Sequence, residues 1–268
     1  MAAWSWRQIL QGNKHFSAHP IPMTAGSDTT PATDRALQVL SVLAQHREPL
    51  SALELSAATG LAKSTLYRQI ATLRRWGFVM EVDGRYGPGP ASVELACGFD
   101  ANSRLVQCAR ADLQALARLS SESVALVAVL NERAVCLEMV DSVQSLRCSF
   151  DKGRSVPLRD GASAKCLLAH LPEAQREAAL ERLNLGATER TARRSELALI
   201  RERGHAITAG EVDAGVWGVS APLLDGQRQL HGAITLMAPT LRIDGREAAF
   251  VHMTLVTAAR IARALQGP

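Results

Sequence analysis

The 268-residue chain has few aromatic side chains and no long hydrophobic run. It contains four Trp, two Tyr and five Phe, so its cores must be built mostly from aliphatic side chains. Apolar runs such as 124–130 are far too short to span a bilayer. The N-terminus lacks a continuous apolar segment followed by a small-residue cleavage site. We therefore expect no signal peptide and no membrane partner.

Sequence motifs of the common enzyme classes are also missing. The chain has no G-x-S-x-G, no H-E-x-x-H, no Walker A motif and no G-x-G-x-x-G after a strand. Its seven His are scattered, and we interpret His205 and His231 as strand-end or surface residues rather than ligands. We predict no catalytic residue, no cofactor and no metal site.

The five cysteines show no zinc or redox spacing. They are Cys97, Cys108, Cys136, Cys148 and Cys166, with no C-x-x-C and no His at zinc spacing. This pattern favours reduced thiols in a cytoplasmic protein, with Cys148 and Cys166 as small buried hydrophobes. The net charge of +4 and the pI of about 9.0 are compatible with nucleic-acid binding but do not establish it.

Residues 49–89 carry the strongest positive signal. Ser51 and Glu54 form an S-x-x-E capping box, which predicts the start of a helix. Thr59-Gly60-Leu61 is the short, glycine-containing turn of a helix-turn-helix. The second helix has apolar residues spaced by four and three and a terminating glycine, namely Leu66, Ile70, Leu73 and Gly77.

A hairpin follows the second helix. Phe78–Val82 predicts a strand, and Asp83-Gly84 is a strong signal for a two-residue hairpin turn. Residues 85–87 are predicted to form the returning strand of the hairpin. Upstream, we predict a helix over Asp34–Ala44 that is capped by Thr33 or Asp34. Its apolar face is predicted to contain Leu37, Leu40 and Ala44. Together these elements predict a winged helix, a fold whose usual function is to read duplex DNA.

Basic and hydroxyl-bearing side chains are concentrated on the second helix of the helix-turn-helix, the predicted recognition helix. Residues 62–78 contain no Asp or Glu. A recognition helix presents its N-terminal residues to base edges in the major groove. Such side chains suit phosphate oxygens and purine edges. The alternative is a solvated basic face. The predicted DNA-binding residues are Lys63, Ser64, Thr65, Tyr67, Arg68, Arg74, Arg75 and Arg85.

The second half alternates between helix and strand patterns. After a boundary at 88–90, a linker helix is predicted near Ser92–Phe99, followed by a helix over Ser103–Ser120. The apolar face of that second helix is predicted to contain Leu105, Cys108, Leu113, Leu116 and Leu119. Strands are predicted over 123–130, 134–140, 145–150, 205–208, 216–223 and 229–237. Helices are predicted over 161–170, 172–183, 192–203 and 244–265. Strands in two groups around helices favour an α+β domain over a parallel α/β sheet.

Four blocks of the chain resemble the isocitrate-lyase-regulator (IclR) family of bacterial transcription factors. The first runs from ATDRALQVLSVLAQ to GRYGPGP, and the others are VPLRDGASAKCLLAHLP, LALIRERGHAITAGEVDAGVWGVSAPLLD and GAITLMAP. The resemblance implies a winged helix-turn-helix, a linker helix, and a C-terminal effector domain related to GAF and PAS folds. That domain would have an antiparallel sheet with flanking helices.

The resemblance also implies an organisation and a set of partners. We expect a flexible extension over 1–32, a DNA-binding domain over 33–90, a linker over 91–102, and an effector-binding and oligomerisation domain over 103–268. The expected partners are double-stranded operator DNA, a small-molecule effector, and further copies in a homodimer or homotetramer. One alternative is a DNA-binding oligomeric regulator without an effector. Another is an enzyme with an accessory winged helix.

The resemblance places effector contacts on a third strand, on the loop into the next helix, and on two late strands. These positions are Ser145, Cys148, Ala162, Ser163, Val216, Gly218, Thr235 and Met237. If strand alternation holds, Trp217 faces away from them. Relatives commonly have His-Ala where this chain has Arg159-Asp160, and Gly where it has Ala164.

The segment 161–165 predicts either an anion pocket at a helix N-terminus or a plain helix start. Arg147, Arg159 and Lys165 lie near the predicted effector positions in sequence. They suggest that the effector is an organic acid or an aromatic compound, because Arg binds a carboxylate bidentately. Surface arginines without such a role are the alternative.

Overall fold

The structure, a computed structural model, describes residues 31–148 and 150–266. Most of the predicted N-terminal extension lies outside these described residues. The chain divides between Ala91 and Ser92 into two units. Both units mix helices with antiparallel strands, as the predicted α+β class requires.

The N-terminal unit is a winged helix. Its elements are α1 (Ala32–Gln45), β1 (Leu50–Ser51), α2 (Ala52–Thr59), α3 (Lys63–Arg75), β2 (Val79–Val82) and β3 (Arg85–Pro88). The strands form an antiparallel sheet in the order β1-β3-β2. The core of the unit is aliphatic apart from one tyrosine, and it contains Val39, Leu43, Leu50, Leu55, Leu66, Ile70, Leu73, Val79 and Tyr86.

The predicted local signals of the helix-turn-helix are confirmed. The Ser51 amide donates to Glu54 Oε2 at 2.7 Å, and the Glu54 amide donates to Ser51 Oγ at 3.3 Å, which is the reciprocal capping box. At the end of α3, the Gly77 amide donates to the Arg74 carbonyl at 3.0 Å. The next amide along the chain closes the helix against the Leu73 carbonyl at 2.9 Å.

The predicted wing is also present. Asp83 and Gly84 have φ values of 52° and 73°, so the hairpin turn has two left-handed central residues, as a type I′ turn requires. The prediction omitted strand β1. Leu50 of β1 pairs with Tyr86 of β3, on the edge of β3 that faces away from β2.

The apolar face predicted for α1 is wrong at two of its three residues, since only Leu40 packs against the core. Leu37 is 57% exposed and Ala44 is exposed, whereas Val39 and Leu43 are buried against α3. The helix begins after Pro31 with no side-chain cap, so neither Thr33 nor Asp34 caps it. The helix carries more apolar residues than one face can bury, and packing against α3 buries Val39 and Leu43 instead of Leu37 and Ala44.

The C-terminal unit is a six-stranded antiparallel sheet with helices on both faces. Its helices are α4 (Ala91–Asn102), α5 (Arg104–Ser120), α6 (Ala162–His170), α7 (Glu173–Arg182), α8 (Ala187–Arg203) and α9 (Glu247–Leu265). Its strands are β4 (Ser123–Leu130), β5 (Arg133–Val140), β6 (Ser155–Pro157), β7 (Ala206–Ala209), β8 (Val216–Leu224) and β9 (Leu230–Pro239). The strand order is β6-β5-β4-β9-β8-β7.

Strand alternation divides the hydrophobic residues between two cores. Val124 and Leu126 of β4 face the core under α5 and α9, whereas Ala125 and Val127 face the core under α6 and α8. Trp217 belongs to the first core, with its ring centroid 6.1 Å from that of Phe250. The prediction that Trp217 faces away from the predicted effector residues is confirmed.

A predicted strand and one residue of a predicted helix face are wrong in this unit, whereas Leu113 and Leu116 of that face are buried as predicted. The described residues 145–148 and 150 form no strand, and the third strand is β6, where Val156 pairs with Ala134 of β5. On α5, Leu119 is 74% exposed, while the small residues Ala109 and Ala117 are buried. Small side chains allow α5 and α9 to pack closely, and this packing decides which face of α5 is buried.

Among the described residues, helix α9 is long and apolar enough to cross a membrane by length and composition alone. It packs on the sheet and on α5, and it buries Phe250, Thr254, Ala258 and Ile261. The helix therefore contributes one of its faces to the core of this unit.

Candidate functional site

Helix α3 has one buried face and one face that is open to solvent. Leu66, Gln69, Ile70 and Leu73 are buried, and Ala62 at the start of the helix provides no side-chain cap. Seven of the eight predicted DNA-binding residues are exposed, and Thr65 is half-buried. The exposed ones are Lys63, Ser64, Tyr67, Arg68, Arg74, Arg75 and Arg85.

Two of the exposed arginines hold the wing in place. Arg74 at the end of α3 pairs with Glu81 of β2. Arg85 of β3 donates from Nε to the Pro49 carbonyl at 2.8 Å and from Nη2 to Glu54 Oε2 at 2.9 Å. These contacts tie the wing to both helices of the helix-turn-helix.

Glu54 connects the capping box to the wing. Hydrogen bonds from the Ser51 amide and hydroxyl, followed by the charge of Arg85, hold the pKa of the Glu54 carboxyl below its ordinary value. In contrast, the guanidinium groups of Arg68 and Arg75 form no ion pair with any residue that the structure describes. These two side chains are therefore available to an external anion.

The C-terminal unit contains a cavity of about 100 Å³ beside the start of α6. The cavity brings together seven of the eight predicted effector residues, namely Cys148, Ala162, Ser163, Val216, Gly218, Thr235 and Met237. Ser145 is exposed and does not line the cavity, because it lies in an irregular segment and not in the predicted strand. The alternation of β8 and β9 places Val216, Gly218, Thr235 and Met237 on the cavity side of the sheet.

Nine further residues line this cavity, and the sequence analysis did not assign them to it. They are Phe150, Val156, Asp160, Gly161, Ala164, Thr208, Glu211, Val212 and Asp213. Gly161 and Ala164 lie within the segment that was expected to form a helix start. The loop 210–215 between β7 and β8 carries no motif that would have identified its role.

Gly161 shapes the junction between the cavity and α6. Its φ of 89° and ψ of 155° belong to a region that only glycine adopts readily. A Cβ at this position would lie 2.7 Å from Cγ2 of Val212. Glycine therefore lets the helix begin directly against the loop that forms one wall of the cavity.

The basic residues that suggested a carboxylate effector do not line the cavity. Lys165 is only 7% exposed, and its Nζ lies 2.6 Å from Oε1 of Glu196 and 2.6 Å from Oε1 of Glu211. Arg147 and Arg159 are exposed outside it. None of these three side chains contributes to the lining of the cavity, and the lysine pairs instead with two carboxylates of the chain itself.

A chain of hydroxyl groups runs from the cavity into the sheet. Ser220 Oγ donates to the Ile234 carbonyl at 3.2 Å, and Thr235 Oγ1 donates to Ser220 Oγ at 2.9 Å. Ser163 Oγ lies 2.8 Å from Thr235 Oγ1. Each hydroxyl has one proton, so the only donor left for this last bond is Ser163.

Among the residues that the structure describes, the buried thiols and the two histidines discussed above lie in structural surroundings. Burial raises the pKa of Cys166 to about 12 and also raises the pKa of Cys148. His231 is exposed, with its Nε2 2.9 Å from Oδ2 of Asp225, and His205 precedes β7. Within residues 31–148 and 150–266, no group of three or more His, Cys, Asp or Glu side chains is placed to hold a metal ion.

Two family profiles match separate parts of the chain. Residues 32–83 match the IclR helix-turn-helix domain, and residues 101–263 match the domain described as bacterial transcriptional regulator IclR C-terminal. These ranges contain α3 and the cavity, respectively.

Curated relatives are similar along most of the chain. The HTH-type transcriptional regulator BhcR of Paracoccus denitrificans is 29% identical over 238 residues, which are 85% of this chain and 85% of the relative. The acetate operon repressor of Salmonella typhimurium is 26% identical, with 92% of this chain and 98% of that protein covered.

Solved structures share the fold. A putative IclR transcriptional regulator from a Silicibacter species has a TM-score of 0.77 at 24% identity, covering 88% of this chain and 97% of its own. An IclR homologue from Microbacterium hydrocarbonoxydans, complexed with 4-hydroxybenzoate, has a TM-score of 0.70 at 20% identity. The match covers 88% of this chain and 99% of the Microbacterium chain.

Proposed function

The chain belongs to the IclR family of bacterial transcriptional regulators, and we propose that it is a cytoplasmic regulator whose operator binding responds to a small organic effector. It is a DNA-binding transcriptional regulator and not an enzyme. The observation that carries the effector proposal is the cavity beside α6, on which seven of the eight family-implied effector positions converge.

The chemistry of the cavity suits a compact organic molecule. Its walls include Phe150, Val156, Val212 and Met237, with a few polar groups among them. Ligand sites are mostly apolar concavities in which a small number of polar groups fix the orientation of the ligand. The family member from M. hydrocarbonoxydans that was solved with 4-hydroxybenzoate supports an effector of this size.

For DNA, we propose that α3 lies in the major groove. Arg68, which is exposed in the second turn of the helix, would contact base edges, and Arg75 at its C-terminal end would contact a phosphate. Arg74 and Arg85 have a different role in this proposal. They set the angle of the wing through Glu81 and Glu54, and they add positive charge near the backbone.

We propose a homodimer as the functional unit, with a tetramer as the alternative. The part of the chain that the structure describes buries no side chain of helix α4, and Val93, Leu95 and Phe99 are 64%, 63% and 45% exposed. An apolar helix of this kind indicates a contact surface. A two-fold dimer would read a near-palindromic site with half-sites one helical turn apart, or a multiple of it.

The effector can change operator affinity only if it binds the DNA-competent and DNA-incompetent arrangements unequally. We expect a coupling of about 1–3 kcal/mol, and it must be reciprocal. Operator DNA would therefore change the affinity for the effector by the same factor.

The test begins with operator DNA that is selected from a random pool by the full-length protein. Calorimetry then measures the affinity for an effector found by thermal-shift screening, with and without saturating operator. We expect the two affinities to differ by a factor of about 5–150. Equal affinities would contradict the coupling, even if the ligand binds.

A matched pair of variants locates the effector site. Ala162→Trp fills the cavity and should abolish the effector response, while DNA binding without effector stays near that of the parent. Ala192→Trp places the same side chain on an exposed position of α8 and should leave the response intact. If no compound shifts the melting temperature or the DNA affinity, the regulator without an effector becomes the better description.

A further inference from the structure

The backbone at the start of α6 presents hydrogen-bond donors to the cavity. Ala162, Ser163 and Ala164 line the cavity, and their amides donate to no residue that the structure describes. The first bond within the helix is donated by the Lys165 amide to the Gly161 carbonyl at 3.0 Å. Amides at a helix start carry partial positive charge, so this wall of the cavity suits the acid group of a ligand.

Thr208 presents an unengaged hydroxyl to the same cavity. It lies on β7, where it pairs with Gly218 of β8, and it is only 9% exposed. Its hydroxyl makes no hydrogen bond with any described residue. A buried hydroxyl without a partner costs free energy, so this side chain is a second indication of a polar ligand in the cavity.

Ser163 differs from Thr208, because the sheet fixes the direction of its proton. The Ile234 carbonyl has no proton, so Ser220 must donate to it. Thr235 donates to Ser220, and Ser163 therefore donates to Thr235. Each hydroxyl has a single proton, so Ser163 Oγ can offer only lone pairs to a ligand.

The position of Ser163 decides which ligand atom meets these lone pairs. Its hydroxyl and its amide belong to the same residue and lie close together. A ligand whose acid group binds this amide therefore places the substituent of its next carbon near Oγ. A hydroxyl at that carbon can donate to Oγ, whereas a keto oxygen has no proton and would face lone pairs.

We propose that the effector is a 2-hydroxy acid and that Ser163 selects it against the corresponding 2-keto acid. This inference rests on the proposed function, since it names the ligand class of the same cavity. The acid group accepts hydrogen bonds from the first-turn amides of α6, and the 2-hydroxyl donates to Ser163 Oγ. Thr235 and Ser220 are positioning residues, because they hold the Ser163 proton away from the ligand.

The test compares ligands that share a carbon skeleton and differ only at this carbon. Lactate and pyruvate form a small pair, and mandelate and phenylglyoxylate form an aromatic pair, with both enantiomers of each hydroxy acid included. Calorimetry on the full-length protein measures all of them. At least one hydroxy acid is expected to bind about tenfold or more tightly than its keto partner. Ser163→Ala should remove this preference.

Two variants test the order of the protons. Thr235→Val removes the acceptor of the Ser163 proton, so Ser163 can then donate to a keto oxygen. The ratio of the two affinities should fall about threefold or more. Ser220→Ala lets the Thr235 proton turn toward Ser163, and it should lower the ratio in the same way although Ser220 does not line the cavity.

Thr208→Val is the matched control for Thr235→Val. It makes the same substitution on the same cavity, but the Thr208 hydroxyl can donate or accept and so serves both ligands alike. The variant should leave the ratio of the affinities near that of the parent, even where it weakens both ligands.

The remaining outcomes separate this proposal from the proposed function. A keto acid that binds more tightly than its hydroxy partner would overturn the selection by Ser163, and so would a ratio that both Thr235→Val and Ser220→Ala leave unchanged. If Ala162→Trp still abolishes ligand binding in either case, the cavity remains an effector site. If no member of either pair binds, the hydroxy-acid proposal fails. The proposed function then fails only if the wider thermal-shift screen also finds no ligand.

Discussion

The Glu211 carboxylate joins the loop between β7 and β8 to helix α6 through Lys165. Glu211 Oε1 lies 2.6 Å from Lys165 Nζ, and Lys165 also binds Glu196 of α8 at 2.6 Å. A cation that is 7% exposed therefore connects three segments around the cavity. The pair between Glu211 and Lys165 helps to hold the loop 210–215 against α6. This loop forms one wall of the cavity.

Replacing the buried lysine should destabilise the C-terminal unit. Lys165→Met leaves Glu196 and Glu211 without their partner. Because these carboxylates are 39% and 32% exposed, water compensates in part. We expect the free energy of unfolding to fall by about 1–3 kcal/mol in urea denaturation. Lys152→Met removes an exposed partner of Asp100 and should cost at most about 1 kcal/mol. Equal losses for both variants would contradict a structural role for Lys165.

Adding a methyl group at the start of α6 should strain the pocket wall. Gly161→Ala forces alanine into a glycine-only conformation and places its Cβ against Val212. We expect a loss of about 1–3 kcal/mol in the free energy of unfolding. Gly210→Ala is the control, since Gly210 also has a positive φ but a Cβ there meets nothing within 4 Å. A loss at Gly161 no larger than the loss at Gly210 would show that the Val212 contact is unimportant.

His170 should make the protein less stable in mild acid. Burial lowers its pKa from the ordinary value of 6.5, and its Nδ1 donates to the Cys166 carbonyl at 2.8 Å. Below pH 6.5 the unfolded chain binds a proton that the folded chain does not, so stability falls as the pH falls toward the folded pKa.

The measurement is the free energy of unfolding of the parent and of His170→Gln between pH 7.5 and pH 5.5. The variant keeps a hydrogen-bond donor and should lose less stability than the parent over this range. His252→Gln removes an exposed histidine from α9 and should follow the parent. Parallel curves for the parent and His170→Gln would refute the linkage.

The winged helix was predictable because its signals are local. Ser51 and Glu54 satisfy each other within one helical turn, and Asp83-Gly84 encodes its turn without help from distant residues. The buried face of α1 was not predictable in the same way. Leu37 and Val39 are both apolar, and only the position of α3 decides that Val39 is buried.

The cavity residues that lie on strands could be predicted from the sequence, but those that lie in loops could not. Residues two apart on β8 and β9 must share a face, so the placement of Val216 with Gly218 followed once the family positions were matched. Glu211 and Asp213 lie in a loop without periodicity, and the inward turn of Lys165 depends on two carboxylates far away in sequence. The charged residues that line the cavity could therefore be identified only from the structure.

The central claim is that α3 reads operator DNA, and the direct measurement is fluorescence anisotropy of labelled operator across a salt titration. Arg68→Ala should weaken specific binding by about 1–3 kcal/mol and change non-specific binding less. Arg75→Ala should weaken binding to all sequences alike and reduce the salt slope by about one phosphate contact. Arg194→Ala, an exposed change on α8, serves as the control. If both α3 variants bind operator like the parent at every salt concentration, α3 is not the DNA-reading element.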